Sequence, residues 1–395
     1  MAQTETTVDL PKSVPHLLAT ATAMTGLDDF GDESFLEGLG NVVKGFNDEA
    51  QLSPLGEQLA FGGLLNILVN RLRYVRDIAA HPEILDEDIP GPIVVLGLPR
   101  TGTTKLQRIL SAGNQTQAML YWRMLNPAPF PEEQLGRPDG RIHVAEDAVA
   151  MLAEHFPGFM ARHPTEAQQP DEEVLLMQGS FQCEVTWMFA RMPSFYQYCM
   201  DVDPVYRYRY LRSQMQYLQW QDGGAQGRPW VLKSPCHTGV LDSLLKVFPN
   251  AVLVHCHREV TEVIPSMSGL MEHMRLIHSD HVDPKVTGPE LLAYFGEGMD
   301  RYLAFRKTLP ADYITDFSFN DVLHRAPEVV AQIYQRTGLP FTEDSRAAIA
   351  AFEAERPRHQ FGSYTYCAED YGVTDAEITA RFAEYSQKFA TYINR

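Results

Sequence analysis

The polarity pattern changes character along the chain. From Val14 to Ala80, apolar residues recur every three or four positions, as in Leu64, Leu65, Ile67, Leu68 and Leu72. That period predicts helices with one buried stripe. Past residue 91, short continuous apolar runs break up helical stretches. Ile93–Leu96, Trp230–Leu232 and Val252–Val254 are too short for helices and read as strands, the first as a buried parallel strand; Tyr313–Phe317, which holds Thr315 and Asp316, reads as a further strand. Helical spacing predicts helices over 141–155, 239–248, 291–309, 327–337 and 343–355, with a last amphipathic helix from about 375 to 393. Buried strands alternating with helices predict a parallel sheet with crossover helices. Aromatic residues crowd the stretch from Phe181 to Trp220. Most read as helix–helix core; the alternative is an apolar pocket with tyrosine hydroxyls fixing a ligand's orientation.

One stretch organises the rest: Gly91-Pro-Ile-Val-Val-Leu-Gly-Leu-Pro-Arg-Thr-Gly-Thr-Thr-Lys-Leu-Gln-Arg-Ile-Leu110. A strand leads through a tight turn, Gly97 to Gly102, into a helix opened by Thr103 and Thr104. Free N–H groups and the positive end of the helix dipole then converge on one point, which suits a phosphate-like anion. The nucleotide-triphosphatase pattern G-x-x-x-x-G-K-[ST] fails at one place: Thr103 stands where lysine is required, and the cation sits inside the turn at Arg100.

The hexapeptide Pro99-Arg100-Thr101-Gly102-Thr103-Thr104 resembles the 5′-phosphosulfate loop of sulfotransferases, enzymes that use 3′-phosphoadenosine 5′-phosphosulfate (PAPS) as donor. The likeness extends over roughly 91–372 and is closest to the broad bacterial branch of that family. Arg258 and Ser266 match the family's arginine–serine pair, eight residues apart, that holds the donor's 3′-phosphate. Trp230-Val-Leu-Lys-Ser-Pro-x-His237 and Tyr366…Glu369-Asp370-Tyr371-Gly372 also match. The resemblance implies an α/β, P-loop-like three-layer fold: a central parallel sheet flanked by helices, plus an N-terminal helical segment. The expected layout is a tail and helical segment over 1–90, then an α/β domain over 91–395 with a helical acceptor-side insertion at about 141–227. It implies donor binding by Arg100, Thr101, Gly102, Thr103, Thr104, Arg258 and Ser266. Arg100 and Lys233 are the expected catalytic cations, and His237 the expected base, with His163 as second candidate. Two positions depart from the pattern. Arg123 replaces a glutamate that serves some relatives as base. Tyr364-Thr365-Tyr366 replaces a basic H-R/K-Y, whose charge Arg356, Arg358 or His359 could supply.

Composition narrows the partners. A formal charge of −18 argues against nucleic acid, so an anionic donor needs a local basic pocket. The five cysteines lack metal-like or paired spacing, and no long apolar run or leader stands out, so the expectation is a cytoplasmic protein with no metal and no membrane span. The expected acceptor is a hydroxyl on a small apolar or aromatic molecule. A homodimer is compatible with the sequence but argued by no residue. The rival readings are a P-loop nucleotide kinase or triphosphatase, and a non-catalytic nucleotide-binding protein of the same fold.

Overall fold

The computed structural model describes residues 10–134, 136–355 and 366–393. The basic loop 356–366 is therefore outside the described residues except for Tyr366. Strands β1 (Ile93–Leu96), β2 (Gln117–Ala118), β3 (Trp230–Lys233), β4 (Val252–His257) and β5 (Ile314–Ser318) form one all-parallel sheet, ordered β2-β3-β1-β4-β5. β1 is thus central, and the chain leaves it toward β3 on one side and β4 on the other. The carboxyl ends of these three strands meet where the order reverses, the place where open α/β sheets form a ligand crevice.

The alternation along β1 builds the layers. Ile93 and Val95 pack with Leu106, Ile109 and Leu110 of α4 (Thr103–Ser111) and with Val329, Val330 and Ile333 of the helix Ala326–Thr337. Val94 and Leu96 point to the other face, toward Leu211, Leu241, Val263, Ile264 and Tyr302. Burying both faces of β1 favours apolar residues at every position, which is why its run is continuous.

The N-terminal helices α1 (Val14–Thr25), α2 (Leu36–Asp48) and α3 (Pro54–Ala80) precede this sheet. Ser53 caps α3 by accepting from Gly56 N at 3.0 Å, and Pro54 presets the first turn. The start of α3 lies hard against the carbonyl of His278: Ser53 N donates to it at 2.9 Å, and a Cβ on Gly56 would meet it at 1.8 Å. Leu39, Val43, Phe61, Leu64 and Leu68 form a separate core with Phe181, Met192, Phe195 and Cys199 of the insertion. Between β2 and β3 the insertion runs through α5 (Tyr121–Leu125), α6 (Asp139–His155), α7 (Pro157–Arg162), α8 (Val174–Met177), α9 (Val185–Phe189), α10 (Pro193–Asp201) and α11 (Val205–Gln221).

Three predicted elements shift, and one strand was not predicted. β2 is an edge strand of two residues with no apolar pattern. β4 continues through His255, Cys256 and His257, because β5 pairs along its whole length, His255 with Asp316 and His257 with Ser318. The helix expected from Gly239 starts at Leu241, after a 3-10 turn over Pro235–Val240. The single last helix is three short ones, interrupted at Phe382 and Phe389, whose φ/ψ of −103/19 and −107/19 leave the helical range. No described helix is long and apolar enough to cross a membrane.

Candidate active site

The loop after β1 carries positive φ at Gly97 (138°), Arg100 (66°) and Gly102 (89°). At Gly97 the need for glycine is double, since a Cβ would also meet the Cys256 carbonyl at 2.6 Å. Arg100 adopts the left-handed region without being glycine, the kind of strain that collects at functional loops. Thr101, fully buried, ties the turn back by donating to Leu98 O at 2.7 Å. The first helical bond of α4 runs from Leu106 N to Gly102 O at 3.1 Å. The amides of Thr103, Thr104 and Lys105 precede it and are therefore the helix's open donors.

Arginines surround this loop. Arg100 Nε donates to Ser266 Oγ at 3.2 Å and Nη1 to the Arg162 carbonyl at 3.1 Å, both neutral acceptors. Arg258 Nη1 donates to Arg100 O at 2.9 Å, and its guanidinium lies 4.3 Å above the Phe319 ring while pairing with Glu262. Desolvation pushes the Arg100 pKa down, and positive Arg258 and Arg162 push it further, while Tyr366 opposes them. In a chain of charge −18 this is a locally cationic spot.

The consecutive acids Asp171, Glu172 and Glu173 face it, each holding a different partner. Asp171 sits 3.3 Å from His163 Nε2. Glu172 accepts from Lys233 Nζ at 2.6 Å and Ser234 Oγ at 3.2 Å. Glu173, fully buried, pairs with His237 Nε2 and accepts the Lys233 backbone N–H at 2.9 Å. Burial would push the Asp171 carboxyl up, but His163, Lys233 and the Glu172 N–H more than reverse it and hold the group well below the carboxylate range. Tyr121 is pushed up to about 12, by burial first and Asp171 second, so its hydroxyl stays protonated.

A cavity of about 960 Å³ joins these groups to the insertion and the N-terminal helices. Arg100, Gly102, Thr103, Thr104, Arg258 and Phe319 line its polar end, followed by His163, Asp171, Glu172 and Ser234. Phe159, Phe181, Phe189, Phe195 and side chains of α3 line the remainder.

A sequence model of the sulfotransferase family matches residues 92–343, more than half of the chain. The chain belongs to the sulfotransferase family. Two solved relatives share the fold almost end to end. Sulfotransferase STF9 from Mycobacterium avium is 26% identical, with a TM-score of 0.86, covering 97% of this chain and 98% of its own. Sulfotransferase STF1 from Mycobacterium tuberculosis is 28% identical, with a TM-score of 0.77, covering 95% and 100%. A curated relative, the omega-hydroxy-beta-dihydromenaquinone-9 sulfotransferase Stf3 of Mycobacterium tuberculosis, is 24% identical over 314 residues, 74% of each chain.

Within this sulfotransferase fold, the predicted residues separate into two groups. Arg100, Gly102, Thr103, Thr104 and Arg258 line the cavity, and Ser266 contacts Arg100 from behind it. Lys233 and His237 are 1% and 0% exposed and lie outside the lining. His237 has both ring nitrogens engaged, with Glu173 and with Tyr208 OH at 2.8 Å. Arg123 turns away from the cavity, toward Asp222 at 2.8 Å and Leu218 O at 2.7 Å. Of the crowded aromatics, Phe181, Phe189 and Phe195 line the cavity but no tyrosine of that stretch does; Trp187, Tyr208, Tyr217 and others pack as core. The acidic trio is absent from the site residues that the sequence pointed to. The available signal was three adjacent carboxylates in a chain whose lysine and histidines at a strand end needed partners.

His255, His257 and Asp316 also cluster, with ligand-type atoms within 4.8 Å of one another. Arg306 already holds both Asp316 oxygens and His257 takes one of them, so a cation occupies the place a metal would need.

Proposed function

We propose that this protein transfers a sulfuryl group from PAPS to the hydroxyl of an apolar acceptor. The observation that carries this reading is Arg100. It stands in a left-handed turn, its side chain bonded among the described residues to a hydroxyl and a carbonyl, beside two further arginines and the open amides of α4. Such an arrangement suits a dianion-bearing ligand. The loop amides and Arg100 would bind the 5′-phosphosulfate, and Arg258 with Ser266 the 3′-phosphate. That the apolar part of the cavity continues from the same point argues for an apolar acceptor.

In this reading His163 is the base in place of His237. It lines the cavity, and Asp171 orients it through Nε2, leaving Nδ1 to take the proton, the base–orienter logic of many nucleophile-activating sites. The acceptor O–H gives its proton to His163 as its oxygen forms the new O–S bond. The bond from sulfur to the bridging phosphate oxygen breaks, and its electron pair leaves with adenosine 3′,5′-bisphosphate. The products are a sulfate ester and the bisphosphate. The transition state is loose with spread negative charge, so fixed cations do most of the work. Arg100 is the first. Lys233 is the second, released toward the leaving phosphate as the donor displaces its ammonium from Glu172. His237 holds Glu173, and through it the Lys233 backbone.

The reading is tested by calorimetric titration with adenosine 3′,5′-bisphosphate and by transfer from labelled PAPS to a panel of apolar alcohols. Binding that Arg100→Ala weakens by at least ~10-fold, the loss of one charged hydrogen bond, is the expected result. No binding to the wild-type protein would overturn it.

A further inference from the structure

The apolar cavity is longer than a small alcohol or phenol requires, and one wall comes from α3, in residues that precede the family-matched segment. The lining positions on α3 run from Gln58 to Arg73, roughly 22 Å along the helix axis at 1.5 Å per residue. Opposite lie Val144, Ala148, Met151 and Leu152, an i, i+4, i+7, i+8 stripe of α6. Away from Arg100 and Arg258 the lining also holds Arg73 of α3 and Glu184, which is paired with Arg207, while Phe189, Phe195 and Met274 are among its apolar residues. A slot with arginines at one end and a largely apolar helix wall, broken by Gln58, Asn66 and Arg73, fits an extended chain with a terminal hydroxyl.

Gly62 and Gly63 stand in the middle of this wall. Neither has a positive φ, and a Cβ on either would meet nothing within 4 Å. Alanine would be the better helix former at both positions, so neither backbone conformation nor packing accounts for the two glycines. Both are exposed and belong to the lining, so that stretch of wall carries no side chain.

We propose that the acceptor is a long, unbranched hydroxyl-terminated apolar chain, and that the N-terminal helix α3, through Gly62 and Gly63, sets how long a chain the site accepts. This rests on the sulfuryl-transfer reading. The hydroxyl lies at His163 and Arg100, and the chain runs away from the sheet along α3. Chain length is then read by the free space beside Gly62 and Gly63, and a leucine placed there stops longer chains first.

The experiment is kcat/KM with labelled PAPS across straight-chain primary alcohols from hexanol to hexadecanol, for wild type, Gly62→Leu, Gly63→Leu and Gly40→Leu. Gly40 is also helical with open space around its Cβ, but it does not line the cavity, although Val42 and Phe46 of the same helix do, so it controls for the substitution itself. Wild type should prefer the longer alcohols. Either cavity variant should lose ~10-fold or more on the longest alcohols and move its optimum to shorter ones, with bisphosphate affinity unchanged and Tm unchanged or raised. Gly40→Leu should keep the wild-type profile. A wild-type preference for the short alcohols, or an identical profile in all four proteins, overturns the proposal while leaving sulfuryl transfer intact. Bisphosphate binding with no transfer to any alcohol overturns both.

Discussion

At the scale of the residue, two histidines divide roles that the sequence could not separate. His237 has the motif position, but His163 has the access. Their replacement should differ in kind. His163→Ala removes a side chain at the cavity wall and should cost ~10²–10⁴ in kcat with Tm unchanged. Asp171→Asn should lower kcat less, since it disturbs the orientation of the ring and leaves the imidazole in place. His237→Ala leaves Glu173 as an uncompensated buried charge and should cost about 3–5 kcal/mol of stability, read as a drop in Tm. A His163→Ala protein with full turnover would remove it from the base role; a His237→Ala protein with unaltered Tm would show Glu173 to be held some other way. The turn after β1 was legible because its residues are contiguous and its glycine spacing is a backbone requirement. The Asp171–Glu172–Glu173 hub was not, because His163, Lys233 and His237 lie 8, 61 and 64 positions from their carboxylates. Only the folded sheet brings them together.

Among the elements, β4 shows how a strand can hide. Val252–Val254 was visible as a branched apolar run, but His255 and His257 are polar letters in fully buried positions. β2 hides for the opposite reason, having two residues at an edge and no pattern to read. The β4 histidines make the sheet sensitive to acid. His255 has its pKa well below the usual histidine value, through burial first, then His257 and Arg306. His257 is also lowered by burial, with Asp316 opposing. The rings lie 4.0 Å apart, between Tyr302 and Phe389. Because folded imidazoles stay neutral while unfolded ones take up protons below about 6.5, their stability contribution is complete above that pH and lost as pH falls. Each can contribute a slope of up to about 1.4 kcal/mol per pH unit. Asp316 extends the loss to lower pH. Burial raises it, but the His257 and Arg306 hydrogen bonds outweigh burial and leave it below 3.8, so its contribution fades as that carboxylate protonates. The check is Tm between pH 7.5 and 5.5: wild type should fall, and His255→Asn should fall less steeply. Equal slopes would place the acid sensitivity elsewhere.

For the molecule as a whole, the cavity lies across a boundary between cores. The sheet has its two packed faces, and α1–α3 share a separate core with residues 181–199 of the insertion. The Arg100 end belongs to the sheet; the apolar lining comes from both. Two ligands should therefore protect different amides from hydrogen exchange. Adenosine 3′,5′-bisphosphate, touching the loop and the Arg258–Ser266 segment, should slow exchange over 97–110 and 258–266 and leave α3 near its free rate. A long primary alcohol should slow exchange in α3 around residues 58–73 and in α6, with little effect on the loop. At 100 times its Kd either ligand adds about 2.7 kcal/mol to global stability, so exchange that needs global unfolding slows everywhere. The discriminating amides are those opened by local fluctuation, and the helices walling an empty slot are where such openings should be frequent. If both ligands protected the same segments, one cavity with two ends would be the wrong description. If the alcohol protected only the loop, the acceptor would enter beside the donor and α3 would have no part in choosing it.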